Sequence, residues 1–470
     1  MNLPDINEAR KRSKEKTKYI YLDEKYDKSI FKGKKYFIRT YGCQMNVHDS
    51  EEVRAHLESI GFTSVEEIEK ADLVVLNTCA IRENAHDKLY GFLGRCKHLK
   101  TTTKPDLIIA ICGCMAQEEN VCKEIMEKHQ YVDLVFGTHN ICDLEKLLIN
   151  KTSKQNIEVF SCEGNVYENV EYKRDSTFKA WVNIQYGCDK FCTYCIVPYT
   201  RGKQRSRKSS DILKEVNDLV KNGYKEITLL GQNVNAYGKD LEGELSFAEL
   251  LEECAKTGIE RLRFVTSHPW DFTDEMIDTI AKYDNIMNYI HLPLQSGSDI
   301  ILKLMGRRYT KDEYISLFNK IKEKINNVSI TTDIIVGFPN ETEEDFNETL
   351  DVVNTCKYDS AFTFIYSPRE GTPAAKMEDK VPLEEKEQRL YKLNELINSY
   401  SLENNKKYIG NVEKVLVEGT NEKDSTKLFG YTETMKLVNF EGNNELIGKI
   451  VNVEITDAKS FSLDGKLKEE

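Results

Sequence analysis

The chain has 470 residues, which is enough for several domains with separate cores. Charged residues make up 31% and hydrophobic residues 40%, a balance typical of a soluble globular protein, and no apolar run approaches the roughly 20 residues of a membrane span. The formal net charge of −12 argues against a protein that coats nucleic acid nonspecifically. The charged N-terminus lacks the apolar core of a signal peptide, so we expect a cytoplasmic location.

The first third of the chain predicts an α/β domain. Residues 1–33 read as a charged leader, and a βα rhythm begins at Lys35. The predicted elements are, in order, strand Tyr36–Thr40, helix Val47–Ser59, strand Asp72–Asn77, helix Arg82–Leu99, strand Asp106–Ile111, helix Gln117–Lys128 and strand Val132–Phe136. Apolar strands that alternate with helices indicate a parallel sheet covered on both faces. We assign residues 34–152 to this N-terminal domain and the polar, aperiodic residues 153–173 to a linker.

A second βα series predicts the core of the protein at residues 174–404. The predicted strands are Ala180–Tyr186, Glu226–Leu230, Arg261–Thr266, Tyr289–Leu294, Ser329–Val336 and Ser360–Tyr366. The predicted helices include Ser210–Lys221, Lys311–Ile325 and Glu384–Lys407. Six such repeats can form a partial (β/α)6 barrel or an open sheet. In both architectures the ligand site lies at the C-terminal ends of the strands.

Beyond Gly410 the pattern becomes short and all-β. The predicted strands are Glu413–Val417, Leu428–Tyr431, Lys436–Asn439 and Lys449–Ile455. Short strands separated by glycines predict a small closed barrel, which we assign to residues 407–470.

Cys188, Cys192 and Cys195 form a C-x3-C-x2-C loop, which is the most informative motif of the chain. Structural zinc sites use four ligands, typically in paired C-x2-C knuckles. Cysteine-only [4Fe–4S] sites also use four thiolates. A loop with three thiolates would leave one iron of a cluster open for a small molecule. Zinc is the alternative that the spacing leaves open.

Three more cysteines, Cys43, Cys79 and Cys114, each follow a predicted strand of the N-terminal domain. Neighbouring strand ends in a parallel sheet are about 5 Å apart, so these cysteines can converge and hold a second cluster with an open iron. Cys112 would point the same way as Cys114 if the strand kept its period of two. The other cysteines share no spacing and are predicted to be buried thiols: Cys96, Cys122, Cys142, Cys162, Cys254 and Cys356.

The stretch Gly187–Gly202 resembles the methylthiotransferases of the radical S-adenosylmethionine (SAM) superfamily. Tyr41–Asn46, Asn77–Arg82 and Gly113–Gln117 are similar to the same family, and the last match selects Cys114 over Cys112. The segment after Gly410 resembles a TRAM domain, an RNA-binding β-barrel. The resemblance covers residues 34–470.

One tripeptide points to a branch within this family. Gln44-Met45-Asn46 is typical of the branch, the MiaB type, that modifies isopentenylated adenosine in tRNA. The branches that act on threonylcarbamoyladenosine or on a ribosomal protein tend to carry other residues there. The tripeptide therefore carries much of the substrate assignment.

The resemblance implies an enzyme with two [4Fe–4S] clusters and SAM as cofactors. It implies that Cys188, Cys192 and Cys195 hold the cluster that binds SAM. It also implies that Cys43, Cys79 and Cys114 hold an auxiliary cluster that carries the sulfur. The implied reaction is methylthiolation of carbon 2 of N6-isopentenyladenosine next to the anticodon, at tRNA position 37. The alternatives are the sister reactions on threonylcarbamoyladenosine or on a ribosomal protein and, more remotely, a non-enzymatic metal- and RNA-binding module.

Two further groups of residues are expected near the substrates. Strand-end residues are expected to contact SAM, by position and by the resemblance: Tyr194, Gly231, Gln232, Asn233, Gln295, Ser296, Asp333 and Gly337. A basic segment after the cysteine loop is expected to contact RNA phosphates: Arg201, Lys203, Arg205 and Arg207. The alternative for the expected SAM contacts is a plain role in turns. The alternative for the basic segment is a solvated charged run.

The resemblance also implies a set of partners. These are a tRNA anticodon stem-loop carrying isopentenyladenosine, a flavodoxin- or ferredoxin-like electron donor, and a sulfur or cluster carrier. We expect a monomer that does not associate with membranes.

Overall fold

A computed structural model describes residues 3–10, 17–22, 27–80, 83–152, 154–161 and 164–468. Three units follow one another there: a parallel sheet with helices, a curved sheet with outer helices, and a closed barrel. Arg82 and Cys162, which the sequence predictions include, lie outside the described residues. Each helix in the described part of the chain is too short or too polar to span a lipid bilayer.

The first unit is a six-stranded parallel sheet with helices. The elements as far as residue 168 are α1 (Ile6–Arg10), β1 (Lys18–Tyr21), β2 (Lys35–Tyr41), α2 (Gln44–Ser59), β3 (Thr63–Ser64), β4 (Leu73–Thr78), α3 (Glu83–Thr102), β5 (Ile108–Gly113), α4 (Glu119–Lys128), β6 (Leu134–Phe136), α5 (Leu144–Ile149), β7 (Asn156–Glu158) and β8 (Asn165–Glu168). The strand order in the sheet is β3-β2-β4-β5-β6-β7. Helices α3 and α4 pack on one face of the sheet, and α2 and α5 pack on the other. The predicted parallel sheet covered on both faces is confirmed.

Two strands lie in residues 153–173, the segment that the sequence analysis assigns to a linker. β7 extends the N-terminal sheet through the buried Ile157, and β8 pairs with β1 near the start of the chain. Strands of three and four residues are too short to show periodicity, and their partners are distant in sequence.

The core unit has six parallel strands in sequence order, three in each of two hydrogen-bonded groups. Its elements are β9 (Lys179–Asn183), β10 (Gln185–Tyr186), α6 (Val197–Thr200), β11 (Arg205–Ser206), α7 (Ser209–Lys221), β12 (Glu226–Leu230), α8 (Phe247–Lys256), β13 (Arg261–Phe264), α9 (Asp274–Lys282), β14 (Tyr289–His291), α10 (Asp299–Leu304), α11 (Lys311–Lys324), β15 (Ser329–Val336), α12 (Glu343–Cys356), β16 (Ser360–Ile365) and α13 (Leu383–Lys406). A parallel bridge between Leu262 and Ile286 joins the two groups. Sequential order of this kind is that of an incomplete barrel, which decides between the two predicted architectures.

A closed five-stranded barrel ends the chain, as predicted. Its strands are β17 (Val412–Thr420), β18 (Lys427–Tyr431), β19 (Leu437–Glu441), β20 (Ile450–Ala458) and β21 (Leu463–Leu467). β21 was not predicted, because its central Asp464-Gly465 reads as a turn signal. The interior is apolar and includes Val415, Val438 and Phe440.

The barrel is fastened to the core by a buried arginine at the start of β13. Arg261 is 1% exposed and donates hydrogen bonds to the carbonyl oxygens of Tyr431 (2.8 Å) and Lys414 (2.7 Å).

We expect Arg261→Met to lower the free energy of unfolding by about 3 to 6 kcal/mol, because each charged hydrogen bond contributes ~1.5–3 kcal/mol. Urea unfolding measures this free energy, and limited proteolysis of the chain just before Val412 measures how firmly the barrel is held to the core. Arg95→Met, which removes an exposed ion pair with Glu69, is the control. Equal midpoints for the two variants would contradict the prediction.

Candidate active site

Cys43, Cys79 and Cys114 leave the N-terminal sheet at one edge. Residues Tyr41, Thr78 and Gly113 stand side by side in the strand register, and Cys79 and Cys114 follow two of them directly. Cys43 precedes α2, which begins at Gln44 rather than at the predicted Val47. A hydrogen bond from the Cys79 thiol lowers the pKa of Cys43 to about 5 despite burial.

Gly113 decides which cysteine of β5 faces this group. Its φ of +96° breaks the alternation of the strand, and a Cβ there would lie 2.3 Å from Asn77 Oδ1. Cys112 consequently packs into the core beside α2, whereas Cys114 begins a turn beside Cys43. The expectation from period-two geometry that both point the same way is wrong.

Two buried asparagines hold the cysteine-bearing loops together. Asn46 donates from Nδ2 to Asn77 Oδ1 (3.1 Å), and Asn77 donates from Nδ2 to the Asn46 carbonyl oxygen (2.8 Å). Asn46 therefore has a structural role, whereas Gln44 of the same tripeptide is exposed and Met45 is buried.

Arg201 joins the core to this cysteine group. It is 5% exposed, and its Nε donates to Cys114 Sγ at 3.1 Å. The same guanidinium binds both carboxylate oxygens of Asp49 on α2, at 2.5 and 3.3 Å. A buried, two-pronged ion pair of this kind orients the arginine and ties the two units at the cysteines.

The second cysteine group lies between β10 and α6. Gly187 has a φ of +67°, and a Cβ there would lie 2.1 Å from the Lys203 carbonyl oxygen, so only glycine fits. Burial raises the pKa of Cys188 to about 12, and burial together with the charges of Cys192 and Cys188 raises that of Cys195. The three side chains of the loop are thus within electrostatic reach of one another.

The two cysteine groups are neighbours. Ile196, the residue after Cys195, packs against Ala80 and Cys114 in one buried apolar cluster. A buried arginine also stands beside the second group, since Arg307 Nη1 lies 3.7 Å from Cys192 Sγ. Neither Arg307 nor the bridging role of Arg201 was predicted, because no spacing pattern marks them.

The clustered metal donors of the protein are a different set of residues. In the described part of the chain, one set of His, Cys, Asp and Glu donors has its ligand atoms within 4.8 Å of one another, and it contains neither cysteine group.

Several of the predicted SAM contacts have structural roles. Gln295 has a φ of +71° and donates its N–H to the Asp333 carbonyl oxygen at 2.8 Å. Ser296 Oγ accepts from the Ser298 N–H (3.2 Å). Gly337 donates its N–H to Glu341 Oε2 (2.7 Å), and a Cβ there would meet Lys386. Tyr194 packs against an apolar cluster that includes Met305.

Two of the remaining candidates, Gln232 and Asn233, keep unused hydrogen-bonding atoms at the strand ends. Both amide atoms of Gln232 and Oδ1 of Asn233 are buried without a hydrogen-bond partner. Oε1 of Gln185 is also buried without a hydrogen-bond partner, and the Gln185 side chain lies close to Gly231. Asp333 lies 3.3 Å from His291 Nε2. Gln185 was missed by the sequence analysis, although its place at the end of the first core strand was an available signal.

The predicted basic segment is not an exposed surface. Arg201, Arg205 and Arg207 are each at most 5% exposed. Arg207 donates to both oxygens of Glu168 (2.8 and 2.7 Å). The guanidinium groups of these three lie within the protein, so their burial does not support the predicted RNA contact, which stays a prediction. Lys203 is half-buried.

Comparisons with known proteins agree with this architecture. The models of the "Radical SAM superfamily", of "Uncharacterized protein family UPF0004" and of the "TRAM domain" match residues 182–353, 35–137 and 406–468. A tRNA-2-methylthio-N(6)-dimethylallyladenosine synthase of Staphylococcus epidermidis is 52% identical over 99% of this chain and 92% of the relative. The corresponding synthase of Bacillus cytotoxicus is 54% identical with the same coverage.

The chain belongs to this synthase family. The predicted resemblance to radical SAM methylthiotransferases is thereby confirmed, and so is the prediction of an enzyme. Membership of the radical SAM superfamily implies a [4Fe–4S] cluster and SAM. Among solved structures, the radical SAM methyltransferase TsrM from Kitasatospora setae is similar with a TM-score of 0.52, covering 73% of this chain and 75% of that one. At 14% identity this likeness concerns the fold alone.

Proposed function

We propose that this protein converts N6-dimethylallyladenosine, also called N6-isopentenyladenosine, to its 2-methylthio derivative at position 37 of tRNA, beside the anticodon. The observation that carries the proposal is identity above 50% with synthases of that name along nearly the whole chain. The two neighbouring cysteine groups and the TRAM barrel support it.

We assign one [4Fe–4S] cluster to Cys188, Cys192 and Cys195 and a second to Cys43, Cys79 and Cys114. Three thiolates leave one iron of each cluster free to bind another ligand. When bound, the first cluster supplies the electron for SAM cleavage and the second supplies the site of the sulfur to be inserted.

The protein's own residues position and shield these reactants. The free amide atoms of Gln232 and Asn233 and the carboxylate of Asp333 are assigned to the polar groups of SAM, because they lie at the strand ends of the core. Cys79, Cys114 and Cys192 are buried and the other three cysteines are half-buried, which limits the access of water and protects a radical from quenching.

RNA binding is assigned to the TRAM barrel, which is fastened to the core by Arg261. We further propose a cytoplasmic monomer that receives electrons from a flavodoxin- or ferredoxin-like donor and sulfur from a carrier protein.

The test is anaerobic reconstitution followed by reaction with synthetic anticodon stem-loops. We expect about eight irons per chain, from two four-iron clusters. Mass spectrometry should detect the 2-methylthio product from the isopentenylated stem-loop and not from an otherwise identical one carrying threonylcarbamoyladenosine or unmodified adenosine. Product from the threonylcarbamoyl stem-loop alone would overturn the proposal in favour of the sister reaction.

A further inference from the structure

A third group of metal-ligand side chains lies on the face of α2 that meets α5. Glu52 and His56 are one turn apart on α2, and Cys142 lies in the turn before α5. At 1.5 Å per residue, these positions on α2 are about 13 to 20 Å along the helix from Cys43. The group is therefore separate from both cysteine groups of the proposed active site.

The three donor atoms surround a common point. Glu52 Oε1 lies 3.4 Å from Cys142 Sγ and 3.7 Å from His56 Nε2, and all three atoms lie within 4.8 Å of one another. Zinc bonds of about 2.0 Å to nitrogen or oxygen and about 2.3 Å to sulfur place tetrahedral donors roughly 3.3 to 3.8 Å apart. The third pair, His56 and Cys142, lies within 4.8 Å, so it has to close by no more than about 1 to 1.5 Å for the set to bind one ion.

The histidine ring is held in the orientation that a metal ligand needs. Its Nδ1 lies 2.5 Å from Glu145 Oε1, and Ser59 Oγ donates to that same oxygen. Its Nε2 is buried and has no hydrogen-bond partner. Metal-binding histidines characteristically donate the other ring N–H to a carboxylate, which fixes the tautomer and orients the ring. Glu145 has that place here.

The charge of the group also fits a divalent cation. Glu52 and Glu145 are buried and both pair with His56, whose protonated ring compensates them when no ion is bound. A divalent ion would neutralise the Glu52 carboxylate and the Cys142 thiolate together. Mixed sulfur, nitrogen and oxygen donors match Zn²⁺ and exclude Mg²⁺ and Ca²⁺, which prefer oxygen ligands alone.

We propose that Glu52, His56 and Cys142 bind one Zn²⁺ ion, with Glu145 supporting His56 and water completing the tetrahedron. The ion fastens α2, the helix that begins beside Cys43, to the segment leading into α5. Cys142 is thus a ligand rather than the inert buried thiol that its sequence position predicts.

The test uses the full chain with its iron–sulfur clusters loaded, so that the other cysteine groups are occupied, and Co²⁺ as the probe. We expect one Co²⁺ per chain with a thiolate-to-cobalt charge-transfer band, and displacement of that Co²⁺ by Zn²⁺. Cys142→Ser should lose the band, and Glu145→Gln should weaken binding by about 10- to 100-fold. Cys96→Ser is the matched control, because Cys96 is a buried thiol on the opposite face of the sheet.

If Cys142→Ser does not fold, His56→Gln provides a second test, because this variant should also lose stoichiometric Co²⁺ binding. Circular dichroism reports whether each variant folds. Absence of stoichiometric Co²⁺ uptake by the unmodified chain, or an unchanged band in Cys142→Ser or His56→Gln, would overturn the proposal. The readout is independent of tRNA modification, so it stands apart from the proposed function.

Discussion

Cys188→Ala is expected to abolish reductive cleavage of SAM, whereas Cys79→Ala is expected to leave cleavage intact and to remove methylthio insertion. The two cysteines belong to separate groups on separate units of the fold, so each variant removes one ligand from one group. The affected step should fall by more than about 100-fold, because loss of a ligand costs more than the 10- to 100-fold typical of its supporting groups. Chromatography of 5′-deoxyadenosine and mass spectrometry of the nucleosides measure the two steps.

Cys122→Ser provides the control for this pair of variants. Cys122 is a fully buried thiol of α4 outside both groups, and its replacement should change neither step. Product formation by both alanine variants would contradict the assignment of two cysteine groups. Loss of SAM cleavage in Cys79→Ala would show instead that the groups do not act separately.

Arg201→Met is expected to destabilise the fold and to empty the auxiliary cysteine group. It leaves the Asp49 carboxylate buried without a partner, which costs about 3 to 5 kcal/mol in the free energy of unfolding. It also removes the N–H···S hydrogen bond to Cys114. We expect iron content to fall from about eight towards about four per chain, with SAM cleavage retained. Iron analysis, urea unfolding and the SAM cleavage assay check these three outcomes.

Arg207→Met separates stability from cluster binding. Arg207 is as buried as Arg201 and pairs with Glu168, yet the groups it is bonded to include no cysteine. It should show the loss of stability without the loss of iron. The double variant Arg201→Met/Asp49→Leu should recover stability and still lose iron, because it removes both charges but restores no donor to Cys114. Full iron content in Arg201→Met would disprove the role of this arginine.

Much of the fold was predictable because its signals are local. Strands Glu226–Leu230 and Ser329–Val336 were predicted to the residue, since a glycine directly follows the last apolar residue of each. β7, β8 and β21 were missed because their sequences are short and polar. The pairing of β8 with Lys18–Tyr21 joins segments about 147 residues apart, and no local pattern reports such a contact.

The type of chemistry was readable from local sequence patterns. The C-x3-C-x2-C loop lies in eight consecutive residues, and the three strand-end cysteines follow from strand periodicity, so both depend on neighbours in the chain. Which charges are buried, and which metal-donor side chains lie next to one another, depends on the tertiary structure. In sequence, Arg201, Arg205 and Arg207 resemble exposed phosphate ligands. In the fold, Arg201 pairs with Asp49 and Arg207 pairs with Glu168. Cys142 gains its neighbours Glu52 and His56 in the same way, because side chains about 90 residues apart come together only when the helices pack.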